Sequence, residues 1–295
     1  MQRLWAIALL ALTCAVPSRA DAQDSAPSAA ELQALLDRVL ATQHRTDAQI
    51  EFYERIERRQ VRKPAGAAPV EDKTFRVVPT GTGIVRAQVE ENGRPVAPAL
   101  YRRQLLDVEN ALAAAFRPGD SGQREAVAKH DRRVRERRES VNALRRAYRA
   151  TWLGREQRNG RLLAKIHLDP DPAFKPASRS AEFLTHARAT VWLDESAGAL
   201  VRVEAEIFRD IYFGAGILAK IYSGSRIVME QAEAAPGLWL PIFYDYSFTG
   251  RKFFFGFSLY ETTTITSYRR IGPPAEALAA IRREIADPAA LPSSH

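Results

Sequence analysis

One cysteine, Cys14, stands in 295 residues. That excludes a disulfide framework, a CxxC redox pair and a Cys-based zinc cluster. Lysine is scarce as well, since seven of the 43 basic side chains are Lys and the rest Arg. A net charge of +8 admits nucleic acid, anionic lipid or another acidic partner without selecting among them. Abundant Arg and Ala are also what a GC-rich genome produces. No GxSxG and no HExxH is present, and Gly81-Thr82-Gly83 is too short for a phosphate loop. The five histidines, His44, His130, His167, His186 and His295, lack ligand spacing. His167 falls beside Lys165 on the polar side of a strand pattern, where a solvated residue outweighs a base or ligand. In Asp169-Pro170-Asp171-Pro172 the prolines make a rigid strand exit, whereas a calcium loop needs roughly six or more oxygen ligands. With no catalytic residue, metal or cofactor to assign, the chain reads as a non-enzyme.

Long hydrophobic runs are missing too. The apolar run Leu4 to Val16 has 13 residues, against the roughly 20 of a spanning helix. Arg3 precedes it, and Pro17 and Ala20-Asp21-Ala22 follow, the layout of a secretory signal peptide cleaved after Ala22. Residues 1–22 are therefore expected to be a signal and 23–295 a single periplasmic domain. The rival is a lipoprotein signal acylated at Cys14, although Thr13 stands where a smaller residue is usual. Export argues against DNA, ATP or NAD as partners.

What is present is a core, at 46% apolar residues, and two alternating periodicities. Leu32, Leu35, Leu36, Val39 and Leu40 predict a helix near 29–43. Strand-like segments follow at 52–61, 74–78 and 83–89, broken by turn signals such as Asn92-Gly93. The period turns helical between Pro98 and Tyr148, as one helix closed by Pro118-Gly119 and a second from about Gln123 to Arg149. The second carries Val127, Val134, Val141 and Tyr148 every seven residues, one thin apolar stripe. From Trp152 to Arg270 strand follows strand. Val201, Val203, Ala205 and Ile207 alternate with Arg202, Glu204 and Glu206, so one face is buried and one wet. Hairpin-like spacing favours an antiparallel meander, with a short closing helix at 275–286.

Two features stand out. Residues 123–149 hold ten Lys or Arg and four acids. They form either a solvated helix paired at i,i+3 and i,i+4 or a contact for anionic lipid or an acidic protein, through Arg132, Arg133, Arg137 and Arg138. The second is an aromatic block, ten aromatics between Trp239 and Tyr260. If its strands pair across Thr249-Gly250, parity puts Tyr244 and Tyr246 on one face of the first strand and Phe253, Phe255 and Phe257 on one face of the second. That face is either a packed core under a helix or a cavity wall, where a phenol is at home.

Several short motifs occur in one order: Gly154-Arg155-Glu156 with Asn159-Gly160-Arg161, then Val191-Trp192-Leu193-Asp194 turning into Leu200-Val201-Arg202-Val203-Glu204, then Leu238-Trp239-Leu240-Pro241. In this order the chain resembles the periplasmic lipoprotein-carrier superfamily of LolA/LolB-like fold, over about 150–270 and more loosely 30–95. The resemblance implies a mainly β fold with helices (α+β). Its sheet would be a curved, incompletely closed antiparallel half-barrel, capped by helices over a cavity for acyl chains. The helical insertion at about 98–149 is larger than the lid segments of such carriers. Together these make the expected ligand a lipid or acylated protein, held by Val203, Ile207, Tyr244, Tyr246, Phe253, Phe255 and Phe257, with no nucleic-acid partner. The alternative is an envelope protein-interaction module with a filled core.

Overall fold

The computed structural model describes residues 25–63, 65–116, 121–177, 179–213 and 218–287. The segment expected to be a signal, with Cys14 and the expected cleavage point, lies outside them. Helix α1 (Ala29–Gln49) starts in a capping box: Ser28 Oγ accepts from the Glu31 amide and the Glu31 carboxylate accepts from the Ser28 amide at 2.8 Å. It runs six residues past the expected end, because Thr42 and Thr46 continue the buried stripe of Leu35 and Val39. Hydropathy alone reads those threonines as polar.

Four strands follow: β1 (Tyr53–Arg62), β2 (Pro69–Pro79), β3 (Ile84–Glu91) and the short β4 (Arg94–Pro95). The β3–β4 turn is Asn92-Gly93, both with positive φ (53° and 72°), as a tight two-residue hairpin requires. Then come α2 (Pro98–Ala114) and α3 (Ser121–Ala147). The last two residues expected in α3, Tyr148 and Arg149, instead open β5 (Tyr148–Arg158). They pair with Pro170 and Asp169, and Arg149 donates to Asp171 at 3.0 Å. A basic run had disguised the change of period.

The remainder is β6 (Arg161–Pro170), a short α4 (Arg179–Glu182), β7 (Ala187–Asp194), β8 (Ala199–Ile207), β9 (Ile211–Phe213), β10 (Ala219–Ile221), β11 (Arg226–Ala235), β12 (Leu238–Lys252), β13 (Phe255–Arg270) and α5 (Pro274–Ala286). The main strand order is β4-β3-β2-β1-β13-β12-β11-β8-β7-β6-β5, antiparallel throughout. Strands β4 and β5 do not meet, so the curved sheet stays open. Strand β13 returns to lie against β1, and β9–β10 is a side hairpin on β12. The fold is mainly β with helices, as expected.

The hairpin between β12 and β13 turns at Phe253-Phe254, with Phe253 at φ 53°, and not at Thr249-Gly250. Gly250 is inside β12 for a different reason. A Cβ there would stand 2.3 Å from the Lys220 carbonyl oxygen and 2.8 Å from the Phe257 ring, so glycine permits close approach of neighbours on both sides.

The two insertion helices take opposite faces. Leu105, Val108 and Leu112 of α2 pack with Ile281 of α5 on Val78 and Ala87. Beside them Arg76 donates to Glu54 at 2.9 Å, Tyr101 at 2.9 Å and Glu284 at 2.6 Å, a buried ionic cluster joining sheet to helices. Helices α1 and α3 lie over the other face. There Leu35 and Val39 pack on Ala164, Ile166 and Val191.

Candidate functional site

Strand register sets one row of inward residues across the sheet: Ala150, Leu168, Ala189, Ala205, Ile227 and Tyr246. The row beside it runs Trp152, Ile166, Val191, Val203, Met229 and Tyr244. In the first row three of four successive strands contribute alanine, a weak strand former that fills little space. Above these alanines an apolar cavity of about 390 Å³ opens, floored by Ala150, Leu168, Ala189, Val191, Val203, Ala205 and Met229. Leu36, Val39 and Leu40 of α1 form one wall, Val141 and Leu144 of α3 another, and Phe183 and Leu184 close an end. The volume lies within the range of small-molecule sites.

Helix α3 is held over this cavity by polar contacts more than by packing. Only Ala143 and Ala147 are buried along its 27 residues. Asn142 bonds His44 at 3.0 Å, Arg145 pairs with Asp37 at 3.2 Å, and Arg137 stands 3.8 Å from Asp47. The seven-residue stripe does not enter a core: Val134 stays 46% exposed, and Val141 faces the cavity.

A second, polar cavity of about 660 Å³ lies further along α3. Arg55, Thr82, Ile84 and Tyr244 line it from the sheet side, and His130, Arg133, Val134 and Arg137 from the helix. Arg133 donates to the Thr82 carbonyl at 2.8 Å, Arg55 pairs with Glu57 at 2.7 Å, and His130 lies 3.5 Å from Glu51. Arg137 lines both cavities. Tyr244, Tyr246 and Phe248 stack in a ladder along β12, with ring centroids 5.8 and 6.0 Å apart. Burial pushes the Tyr244 phenol up, against the pull of Arg137 and Arg55, and pushes Tyr246 to about 12. Tyr148, at the apolar cavity, is also pushed up by burial to about 12. Tyr148 lines the apolar cavity and Tyr244 the polar one, while Tyr246 lines neither.

The residues singled out from sequence go to several places. Val203 lies in the apolar floor and Tyr244 in the polar cavity, both in the one row that also holds Met229. Ile207 is buried in a separate small cluster with Ala187 and Ile211. Phe253, Phe255 and Phe257 line neither cavity; they stand exposed at the hairpin end. All four arginines are exposed, and of them only Arg133 and Arg137 border the polar cavity. Unforeseen were the alanine floor and the α1 wall. Leu36 and Leu40 were visible as a stripe, but the alanines acquire meaning only through register. Among the described residues no group of three or more His, Cys, Asp or Glu is placed to hold a metal ion, and no helix is long and apolar enough to cross a membrane.

No family model and no curated protein sequence matches the chain. Solved structures similar to it include an outer membrane lipoprotein-sorting protein domain from Vibrio parahaemolyticus, at 11% identity and TM-score 0.33, covering 79% of this chain and 92% of that one. A DUF1329 family protein from Desulfovibrio piger is similar at 8% identity and TM-score 0.31, over 81% and 93%. A third is MucB in complex with MucA(peri), at 9% identity and TM-score 0.21, over 79% and 93%.

Proposed function

We propose that this chain is an exported, non-enzymatic carrier or sensor of an acyl-chain-bearing ligand, acting in the periplasm once residues 1–22 are removed. The supporting observation is the apolar cavity itself, floored with alanine and roofed by a helix whose stripe of valines has no core to enter. The chain of the ligand lies on Ala189, Val203 and Ala205 between α1 and α3. Its polar end emerges beside Arg137, within reach of Arg55, Arg133 and the Tyr244 phenol. Met229 adapts to chains of differing shape, as an unbranched thioether does.

Chain length tests this directly. Each buried CH₂ contributes about 0.8 kcal/mol, roughly a fourfold change in Kd. A displacement series of saturated fatty acids against a fluorescent acyl probe should show affinity rising with every added pair of carbons, then levelling once the cavity is full. Affinity independent of chain length would refute an acyl site.

A further inference from the structure

Four tight hairpins turn on two residues. Two of them, at 92–93 and 159–160, use Asn-Gly, which tolerates the positive φ such turns demand, and one, at 236–237, uses Pro-Gly with Gly237 at φ 72°. The fourth uses Phe253-Phe254 and holds Phe253 at φ 53°, an uncommon conformation for a bulky residue. Local turn chemistry gives no reason for phenylalanine at this place. The side chains are not absorbed by the fold either: Phe253, Phe254, Phe255 and Phe257 are 49, 88, 79 and 39% exposed.

A second hairpin extends the same end. Strand β10 pairs with β12 through Ala219–Lys252 and Lys220–Arg251, and with β9 through Ala219–Phe213 and Lys220–Tyr212. This brings up Tyr212, Phe213, Leu218 and Tyr222, which are 56, 45, 52 and 37% exposed. Gly250 allows that approach. Phe253 N donates to the Leu218 carbonyl at 2.9 Å and Tyr222 N to the Thr249 carbonyl at 2.9 Å. These two bonds satisfy backbone groups where the hairpins meet, which lowers the cost of bringing that part of the end into a less polar medium.

We propose that this aromatic end enters the headgroup–acyl boundary of an anionic lipid bilayer. Charge complementarity selects that occupant. The two hairpins and the residues entering them carry Arg209, Lys220, Arg251 and Lys252 against the single acid Asp210, and cations beside aromatic rings suit the headgroup region. Lys220 already sits 4.9 Å from the Tyr212 ring centroid and 5.1 Å from that of Tyr222, in the mixed layer that such an interface provides. The shape agrees, since a projecting tip with Phe254 at 88% exposure penetrates a fluid surface, whereas a protein partner would need a matching pocket. The membrane contact is thereby assigned to the sheet end and not to the basic helix α3. It does not depend on what the cavity holds.

The test uses the full mature chain and vesicles of phosphatidylglycerol with phosphatidylethanolamine. In co-sedimentation, Phe254→Ser with Phe255→Ser should weaken vesicle binding at least tenfold, with an unchanged thermal midpoint. Arg132→Glu with Arg138→Glu on α3 should change it less than threefold. Phe254→Trp should show a blue-shifted difference emission on vesicles. Three results would overturn the proposal: no vesicle binding by the wild-type chain, binding that survives both serines, or an unshifted Phe254→Trp emission. A concentration-dependent dimer lost in the serine variant, without vesicle binding, would identify the end as a contact between copies. Acyl-probe affinity, measured in parallel, separates failure here from failure of the carrier reading.

Discussion

Ala205→Phe distinguishes a ligand cavity from a packed core at one atom's position. Ala205 sits between Ala189 and Ile227 in register, and its methyl group faces the 390 Å³ space. In a filled interior, forcing in a larger side chain costs typically about 1–3 kcal/mol and sometimes more. Over an empty floor the ring meets no such resistance, so the unfolding free energy should change by less than about 1 kcal/mol. The ligand bears the loss instead. The ring displaces roughly four methylenes at about 0.8 kcal/mol each, about 3 kcal/mol in all or roughly a hundredfold in Kd. Urea unfolding and acyl-probe titration on the same sample give both quantities. Glu204→Phe, one residue away and on the other face, is the control and should leave probe affinity intact. A loss of more than about 1 kcal/mol in stability, or an unaltered affinity, would refute the reasoning.

Removing Arg76 takes the cation from Glu284 and Tyr101 and leaves the buried Glu54 with Arg269 alone, so Arg76→Leu should lower the unfolding free energy by about 3 kcal/mol, read from the urea midpoint. Tyr148 and Tyr246 are pushed to about 12 by burial, so the folded chain keeps protons there that the unfolded chain releases near pH 10. Stability is therefore complete below about pH 10 and falls as pH rises through 12; a phenolate absorbance titration should show late-ionising tyrosines. Helix α3 buries only two residues, and its amides should exchange hydrogen faster than those of α1, then slow when an acyl ligand is bound.

How much of this was legible varies with range. Alternation in β8 is local, and it correctly put Val203 and Ala205 on one face and the ion-paired Arg202, Glu204 and Glu206 on the other. The strand and helix order through β3, α2 and α3 was equally readable. Pairing of β13 with β1 was not, because it joins Glu54 to Arg269 across most of the chain and no local pattern encodes it. The aromatic block shows the same limit within one hairpin. Parity named the face of Tyr244, Tyr246, Phe255 and Phe257 correctly, but not their depth along it. Strand β12 has 15 residues, and at about 3.4 Å each it outruns the helices that cover it. One block therefore splits into a core residue, Trp239 at 2% exposure, an inner ladder, and an exposed tip. Turn chemistry misled for a related reason: Gly250 marks a crowded crossing of strands, which a sequence cannot distinguish from a turn. The cavity was the least visible feature, since it is defined by Ala150, Ala189 and Ala205 having little to show.

Whether the cavity carries an acyl ligand is settled most directly by native mass spectrometry of the mature chain purified from an envelope fraction without detergent. An adduct of lipid mass should accompany the wild-type protein and be depleted in Ala205→Phe. A wild-type protein of bare polypeptide mass that also fails to bind an acyl probe would contradict the carrier reading.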